Sequence, residues 1–179
     1  SSVILPGSLV SIGRNAFDRC SGLTSVSIPA GVTSIDWGIF RFCTGLTSIS
    51  VDPANPAYSS TADGKALLNK AQTLLVQAAP GLMGNYSVPA GITRLNTEAF
   101  YGCTGMTGIT LPSGLNTIDG YVFGGCSALT SISIPASVTS ISNGPFYYCT
   151  NLKTVAVDPS NPAYLMSSDG KLLLNKAQT

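Results

Sequence analysis

One stretch of the chain decides its fold: residues 123–134 read FGGCSALTSISI. Phe123, Cys126 and Leu129 follow one another at intervals of three residues, and the alternating pair Ile132 and Ile134 comes next. An apolar residue at every second position, with serine between, is typical of a short β-strand with one buried face. The stretch therefore predicts an apolar turn that leads into a strand.

The same pattern occurs five times, which makes the chain a repeat protein. Each copy has a cysteine three residues after a phenylalanine, at Cys20, Cys43, Cys103, Cys126 and Cys149. Adjacent copies are 23 residues apart, and 60 residues separate the second copy from the third. One unit cannot bury its apolar side chains alone, whereas stacked units bury a continuous column of them. The sequence predicts a solenoid stabilised by contacts between neighbouring units.

A longer period of 106 residues encloses the short one, because residues 52–58 read DPANPAY and residues 158–164 read DPSNPAY. We divide the single solenoid into 23-residue units at about 1–51 and 89–157, with insertions at 52–88 and 158–179. The first insertion carries the turn dipeptide Asp63-Gly64 beside apolar runs, which predicts a β-hairpin that continues the solenoid sheet. The second insertion stops before the counterpart of Leu74, so we expect the natural protein to be longer.

Each unit is predicted to hold one short helical turn before its strand. Two extended pieces in 23 residues leave space for about one such turn, so the solenoid should be β-rich. Asn15, Thr97 and Asn143 are suitable N-caps. A residue in the left-handed conformation is expected to end the turn at Gly22, Gly45, Gly105 and Asn151.

The repeat resembles the BspA-like class of leucine-rich repeats. Residues 134–155 carry the Ile-Pro, Val-Thr, Phe-x-x-Cys and Leu positions of that class, and the Asn-Pro-x-Tyr insertion is similar to the spacer of many members. The likeness covers essentially the whole chain. It implies a leucine-rich-repeat right-handed superhelix, β-rich with short helical turns and inserted β-hairpins. It also implies a bacterial surface or secreted protein, such as an adhesin or a ligand-binding module without a catalytic centre.

The residues themselves argue against catalysis. The chain contains no histidine, the commonest general base and transition-metal ligand. One cysteine per unit, always in the same column, is typical of packing positions, so we predict that all five cysteines are reduced and buried. The four recurring acids precede proline or glycine and are interpreted as turn residues rather than calcium ligands: Asp52, Asp63, Asp158 and Asp169. We expect no enzyme activity, no metal and no cofactor.

Composition also restricts the partners. Only 9% of the residues are charged, the formal net charge is +1, and the nine basic residues are scattered between Arg14 and Lys176. A nucleic-acid or membrane-surface partner would normally require a basic cluster. No apolar run approaches the length that spans a bilayer. The sequence therefore favours neither nucleic acid nor membrane insertion.

Two surfaces remain as candidates for binding. The outward positions of the strands hold small residues such as Ser48, Ser50, Ser131 and Ser133, which offer few anchors. The turns hold large residues outside the repeating core, and these are our candidate ligand contacts: Trp37, Arg41, Phe42, Tyr101, Tyr121, Tyr147 and Tyr148. Aromatic residues and arginine are enriched in interface hot spots.

Three functions are compatible with these surfaces. The first is an extracellular or cell-surface module that recognises or adheres to an extracellular or host protein, consistent with the resemblance. The second is a structural spacer of a surface protein. The third is a polysaccharide-binding solenoid that uses Trp37 and the tyrosines as stacking platforms.

Overall fold

The computed structural model describes residues 2–168 and 173–177, which form a solenoid of short strands. The strands are β1 (Ser2–Val3), β2 (Ser11–Ile12), β3 (Ser25–Ile28), β4 (Ser34–Ile35), β5 (Ser48–Val51), β6 (Tyr58–Ser60), β7 (Ala66–Asn69), β8 (Leu74–Ala78), β9 (Met83–Ser87), β10 (Arg94–Leu95), β11 (Gly105–Thr110), β12 (Thr117–Ile118), β13 (Ser131–Ile134), β14 (Ser140–Ile141), β15 (Thr154–Val157), β16 (Tyr164–Met166) and β17 (Leu173–Asn175). The described residues contain no helix. The expectation of a β-rich solenoid is confirmed.

The first wall of the solenoid is a column of parallel strands, one from each unit. It consists of a sheet in the order β1-β3-β5 and a second sheet in the order β9-β11-β13-β15. Neighbouring strands pair at the repeat distance, as Ser25 does with Ser48 and Ile132 with Val155. Val26, Ile28, Ile132 and Ile134 are buried, whereas the serines between them point outward, as the alternation predicts.

A second wall is built from shorter strands. β2 pairs with β4, and β10, β12 and β14 form a parallel ladder farther along the chain. Each of these strands is only two residues long, with one isoleucine or leucine turned inward or partly inward. They correspond to the second extended piece of each unit.

The third wall consists of turns, and the predicted short helical turns are absent from the described residues. Its backbone amides donate instead to the next unit: Phe100 N–H to Val122 O at 2.8 Å and Gly102 N–H to Gly124 O at 2.8 Å, with the same pattern from Phe123 to Pro145. Because these N–H groups bond across units, they cannot supply the i→i−4 bonds of a helix.

Two residues of each turn adopt the left-handed conformation, and the predicted positions for them were wrong. The first column comprises Asn15, Gly38, Glu98, Tyr121 and Gly144, with φ of 56°, 70°, 59°, 55° and 60°. The second comprises Arg19, Phe42, Gly102, Gly125 and Tyr148, with φ of 59°, 52°, 78°, 69° and 55°. Gly22, Gly45, Gly105 and Asn151 are not among the positive-φ residues. Gly45 is required for another reason, since a Cβ there would lie 2.3 Å from the carbonyl oxygen of Ser21.

The phenylalanine and cysteine columns form the core beneath the turns. The rings of Phe100 and Phe123 stack at a centroid distance of 5.6 Å, and those of Phe123 and Phe146 at 5.7 Å. The Cys126 thiol donates to Phe100 O at 3.3 Å, and the Cys149 thiol to Phe123 O at 3.0 Å. Through such bonds Cys43, Cys103, Cys126 and Cys149 each link their unit to the chain segment stacked before it.

All five cysteines are free, but the prediction that all are buried was wrong. Cys43, Cys103 and Cys126 are buried, Cys149 is intermediate and Cys20 is exposed. Cys20 lies in the first turn of the described chain, and no described unit packs on its N-terminal side. Burial raises the pKa of the Cys43 thiol to about 11 and that of Cys149 to about 12, as expected for packing positions rather than reactive thiols.

The first insertion is a three-stranded antiparallel meander rather than a single hairpin. β6 pairs with β7 and β7 with β8, and β8 then pairs in parallel with β10. The meander therefore extends the second wall. In the first wall, the N–H of Ile49 donates to the carbonyl of Gly64 at 2.7 Å, so the meander turn closes the edge of β5.

The meander also divides the core, because both of its faces are buried. Leu67 and Val76 pack in a cluster with the units before the insertion, whereas Leu68 and Leu75 pack with the units after it. Successive residues of a strand point to opposite faces, so a continuous apolar run serves two cores.

Each DPxNPxY motif closes the edge of a short strand. The Asn55 side-chain NH₂ donates to Pro29 O at 2.8 Å and Val32 O at 2.9 Å, and its oxygen accepts from the N–H of Tyr58 at 2.8 Å. The hydroxyl oxygen of Tyr58 accepts from the N–H of Ile35 at 2.8 Å. Asn161 and Tyr164 repeat these contacts with the equivalent residues of the unit before them, Pro135, Val138 and Ile141. Spacing alone does not predict this role, although asparagine and tyrosine are kept in both copies of the motif.

Candidate recognition surface

The outward side of the first wall is flat and carries small side chains. Ser27, Ser48, Ser50, Ser131 and Ser133 are exposed along consecutive strands. Ser50 also donates to Val26 O at 3.3 Å, which occupies its hydroxyl within the wall. This surface, the strand face, offers mainly hydroxyl groups, and its strands expose no aromatic ring; Met83 of β9, which is 79% exposed, is its one large apolar side chain among the described strands.

The outward side of the turns is different. It carries the seven residues that the sequence analysis selected, together with two arginines that it did not: Arg14, Arg19, Trp37, Arg41, Phe42, Tyr101, Tyr121, Tyr147 and Tyr148. We call this set the turn stripe. Ring and guanidinium contacts join its members into three groups along the solenoid: Arg14 with Trp37, then Arg19, Phe42, Arg41 and Tyr101, and then Tyr121, Tyr147 and Tyr148.

In the N-terminal half of the stripe, arginines cover the aromatic rings. The guanidinium carbon lies 3.5 Å from the Trp37 ring centroid for Arg14, 4.8 Å from that of Phe42 for Arg19, and 4.2 Å from that of Tyr101 for Arg41. Each arginine occupies the position in its unit that the ring occupies in the next unit. Stacking of the units therefore places each arginine over the ring of the next unit. The guanidinium group occupies one face of that ring.

The C-terminal half of the stripe is a cluster of exposed tyrosines. Tyr121 and Tyr147 meet edge to face, with centroids 5.7 Å apart and an interplanar angle of 85°. Tyr147 and Tyr148 are 4.2 Å apart. Tyr121 is 42% exposed, Tyr147 47% and Tyr148 65%, so these rings are available to a ligand.

Tyr101 lies between the two halves in a buried position. It is only 6% exposed, and its ring meets Phe42 edge to face at 5.4 Å. Tyr101 therefore supports the surface from below, and most of the contact area of the stripe belongs to its neighbours.

A recess of about 280 Å³ opens between the halves, lined by Arg41, Glu98, Tyr101, Tyr121 and Tyr147. The Nε of Arg41 lies 3.4 Å from Oε2 of Glu98. Burial raises the pKa of the Glu98 carboxyl and outweighs the opposing attraction of Arg41 and Arg14. Glu98 was missed by the sequence analysis. The sequence feature that sets Glu98 apart is its place in the repeat, because glycine occupies the equivalent positions 38 and 144.

Large residues at left-handed positions pack against glycines of adjacent units. A Cβ on Gly102 would lie 3.0 Å from Cδ1 of Phe42, and one on Gly144 would lie 2.9 Å from Cε1 of Tyr121. For residues with a Cβ, the left-handed conformation costs roughly 1–2 kcal/mol. Glycine would avoid this strain, and strained backbone is concentrated at functional sites. The stripe therefore keeps large side chains where glycine would be more stable.

The acids that the sequence analysis interpreted as turn residues act as such. Asp52 accepts from the N–H of Ala54 at 2.8 Å, Asp63 from the hydroxyl of Thr61 at 2.6 Å, and Asp158 from the N–H of Ser160 at 2.9 Å. Asp169 lies outside the described residues. Within residues 2–168 and 173–177, three or more metal-binding side chains do not come together, and no helix has the length and hydropathy to cross a membrane.

A family model for the BspA-type leucine-rich repeat region matches six copies over residues 1–62 and 82–167. The chain belongs to this family. The unmatched residues 63–81 coincide with the turn and the strands β7 and β8 of the meander. A comparison with curated proteins finds no match.

Solved structures of bacterial leucine-rich repeat proteins have the same fold. A leucine-rich repeat protein from Eubacterium ventriosum is 30% identical, with a TM-score of 0.80 over 87% of this chain and 41% of its own. The pneumococcal vaccine antigen PcpA is 20% identical, with a TM-score of 0.63 over 87% of this chain and 50% of its own. A leucine-rich cell surface protein from Faecalibacterium prausnitzii is 24% identical, with a TM-score of 0.50 over 90% of this chain and 48% of its own. The chain thus spans about half the length of these proteins or less.

Proposed function

We propose that this chain is a non-catalytic recognition module that binds an extracellular protein through the turn stripe. The observation that carries the proposal is the row of aromatic and arginine side chains along one wall, beside a strand face whose strands expose no aromatic ring. Aromatic residues and arginine dominate interface hot spots because they bury large areas and make directed contacts. Repeat proteins commonly bind through such extended surfaces.

The proposed location is the cell surface or the extracellular space. The family is of the bacterial surface-protein type, and the protein from Faecalibacterium prausnitzii is described as a cell surface protein. The scarcity of charge is compatible with this location, since only 9% of residues are charged. Adhesion to a host or matrix protein is the specific activity that we propose.

The experiment is a binding screen of the 179-residue chain against purified extracellular-matrix and plasma proteins, followed by a matched pair of variants. The first variant carries Trp37→Ala and Phe42→Ala in the stripe. The second carries Ser48→Ala, Ser50→Ala, Ser131→Ala and Ser133→Ala on the strand face. Circular dichroism and urea unfolding first establish that both are folded.

We expect the stripe variant to lose about 30-fold in affinity, equivalent to about 2 kcal/mol for a hot spot, and the serine variant to lose less than about threefold. If the serine variant loses binding and the stripe variant keeps it, the wrong surface has been assigned. Absence of any partner in the screen would favour a structural spacer and contradict the proposal.

A further inference from the structure

The recess in the turn stripe has a balanced charge. Of its five lining residues only Arg41 and Glu98 are charged, and they form an ion pair with each other at 3.4 Å. An anionic ligand would meet the carboxylate of Glu98, and a cationic ligand would meet the guanidinium of Arg41. The pair therefore disfavours either charge and leaves neutral polar ligands without an electrostatic penalty.

The remaining walls are aromatic. Tyr121 and Tyr147 stand almost perpendicular to each other, at 85°, and both are nearly half exposed. The face of an aromatic ring carries partial negative charge, which attracts the polarised C–H groups of a saturated ring. Phenol, guanidinium and carboxylate groups together supply hydrogen-bond donors and acceptors. Such walls suit a ring with one apolar face and a rim of hydroxyl groups.

Two of the lining residues occupy left-handed positions that hold glycine in other units. Glu98 has a φ of 59° and Tyr121 a φ of 55°, whereas Gly38 and Gly144 are their equivalents in neighbouring turns. The carboxylate and one aromatic wall are thus kept at positions where the fold itself favours glycine.

We infer that the recess binds one neutral sugar unit of an extracellular glycan. The ring of the sugar stacks on Tyr121 or Tyr147, and its hydroxyl groups bond to Arg41 and Glu98. This inference goes beyond the proposed protein-binding function, because the recess accepts a sugar whether or not the stripe also binds a protein.

The test is saturation-transfer NMR and calorimetric titration of the whole chain with neutral oligosaccharides. The probes are cellohexaose, maltohexaose, mannohexaose and hexa-N-acetylchitohexaose, with a heparin-derived hexasaccharide and a chitosan hexamer as anionic and cationic counterparts. We expect at least one neutral probe to bind, and neither charged probe to bind more tightly than it does.

Two variants locate the site. Tyr147→Ala removes one wall, and Tyr121→Gly removes the other at a left-handed position that suits glycine. Circular dichroism first establishes that each variant is folded. We expect each to weaken binding about tenfold or more. Tyr147→Phe keeps the stacking ring and should stay within about threefold of the parent chain. Ser133→Ala, on the strand face outside the turn stripe, should leave the sugar affinity unchanged.

The inference is overturned if no neutral probe binds, if a charged probe binds more tightly than all neutral ones, or if Tyr147→Ala and Tyr121→Gly bind as well as the parent chain. Its failure is separate from failure of protein recognition, which is measured with the Trp37 and Phe42 variant. Loss of protein binding in that variant together with no sugar binding would retain the proposed function and reject only the sugar site.

Discussion

The strand face and the turn stripe are built from the same 23-residue unit, yet they differ in side-chain size and in backbone strain. In the first wall, period-2 alternation buries one set of side chains and leaves small serines outside. In the turns, left-handed residues direct large side chains outward and over the next unit. Both walls are hydrogen-bonded between units.

This difference indicates on which wall the outward side chains can serve binding at little cost to the stability of the solenoid. The strand face contributes a regular ladder, and apart from Met83 and Asn85 of β9 its outward residues are small. The turn wall has a ladder of its own, so its stability comes from the backbone bonds and from the buried phenylalanines below. Its outward side chains are therefore available for recognition, although some of them occupy strained positions.

The largest effect is expected from removing a ring beneath the turn wall. Phe100 is fully buried and contacts Phe123 and Tyr86. Phe100→Ala should lower the free energy of unfolding by about 3–5 kcal/mol through lost burial and a cavity. Urea unfolding measures the effect, with Tyr148→Ala as a surface control that should change stability by less than about 1 kcal/mol. Equal losses in the two variants would show that exposed stripe aromatics stabilise the fold.

A pair of glycine substitutions separates steric crowding from backbone strain on the two walls. Gly102 has a φ of +78°, and an added Cβ would lie 2.7 Å from the backbone nitrogen of Phe42. Gly84 in β9 has a φ of +70°, but nothing lies within 4 Å of an added Cβ. Gly102→Ala should cost about 2–4 kcal/mol, because it combines strain with overpacking, and Gly84→Ala about 1–2 kcal/mol, from strain alone.

Thermal unfolding of both variants checks this difference. A Gly84→Ala variant that loses as much stability as Gly102→Ala would mean that the left-handed backbone, and not the contact with Phe42, dominates in the turn wall.

Substitution by glycine should change the free energy of unfolding in opposite directions on the two walls. Tyr148 has a φ of 55° and is 65% exposed, so Tyr148→Gly relieves strain and should leave stability unchanged or raise it by up to about 1 kcal/mol. Ser133 lies inside β13, where Ser133→Gly should lower stability by about 0.5–1 kcal/mol. Chemical unfolding of the two variants side by side gives the result. Destabilisation of both by the same amount would remove the proposed contrast between the walls.

The smallest expected effect is on the pH dependence of the free energy of unfolding. Because burial raises the pKa of Glu98 above its ordinary value of 4.5, the native state binds its proton more tightly than the unfolded chain. The associated stability is present below that value and is lost as the pH rises through the raised pKa. Glu98→Gln should therefore gain stability relative to the parent chain as the pH rises from 4 to 7.

Urea midpoints of the two proteins across this range test the sign. Taking the difference between them cancels the contributions of other carboxyls, including Asp63 and Asp158, whose pKa values are lowered by hydrogen bonds that outweigh the desolvation of Asp63. A parent chain that gains stability relative to Glu98→Gln as the pH rises would show that the ion pair with Arg41 outweighs burial.

Spacing along the chain determined the repeat, the strands and the core columns of this protein. Phe123, Cys126 and Ile132 recur at a constant interval, and stacking in register converts a sequence position into a column in space. The candidate surface could be selected from the same spacing, because residues such as Tyr121 and Tyr148 are large and fall outside the apolar columns. Their role in binding stays a prediction.

Only the tertiary structure decided what the turns and the insertion became. The turn N–H groups bond to the next unit, which replaces the expected helical turn, and no local pattern reports such contacts. The run Leu67-Leu68 serves two cores because its strand lies between them. Likewise, Glu98 comes to lie beside Arg41 only when units 60 residues apart in sequence stack. Local spacing determines on which side of its unit a residue lies. Which residue of another unit it contacts is determined by how the units stack.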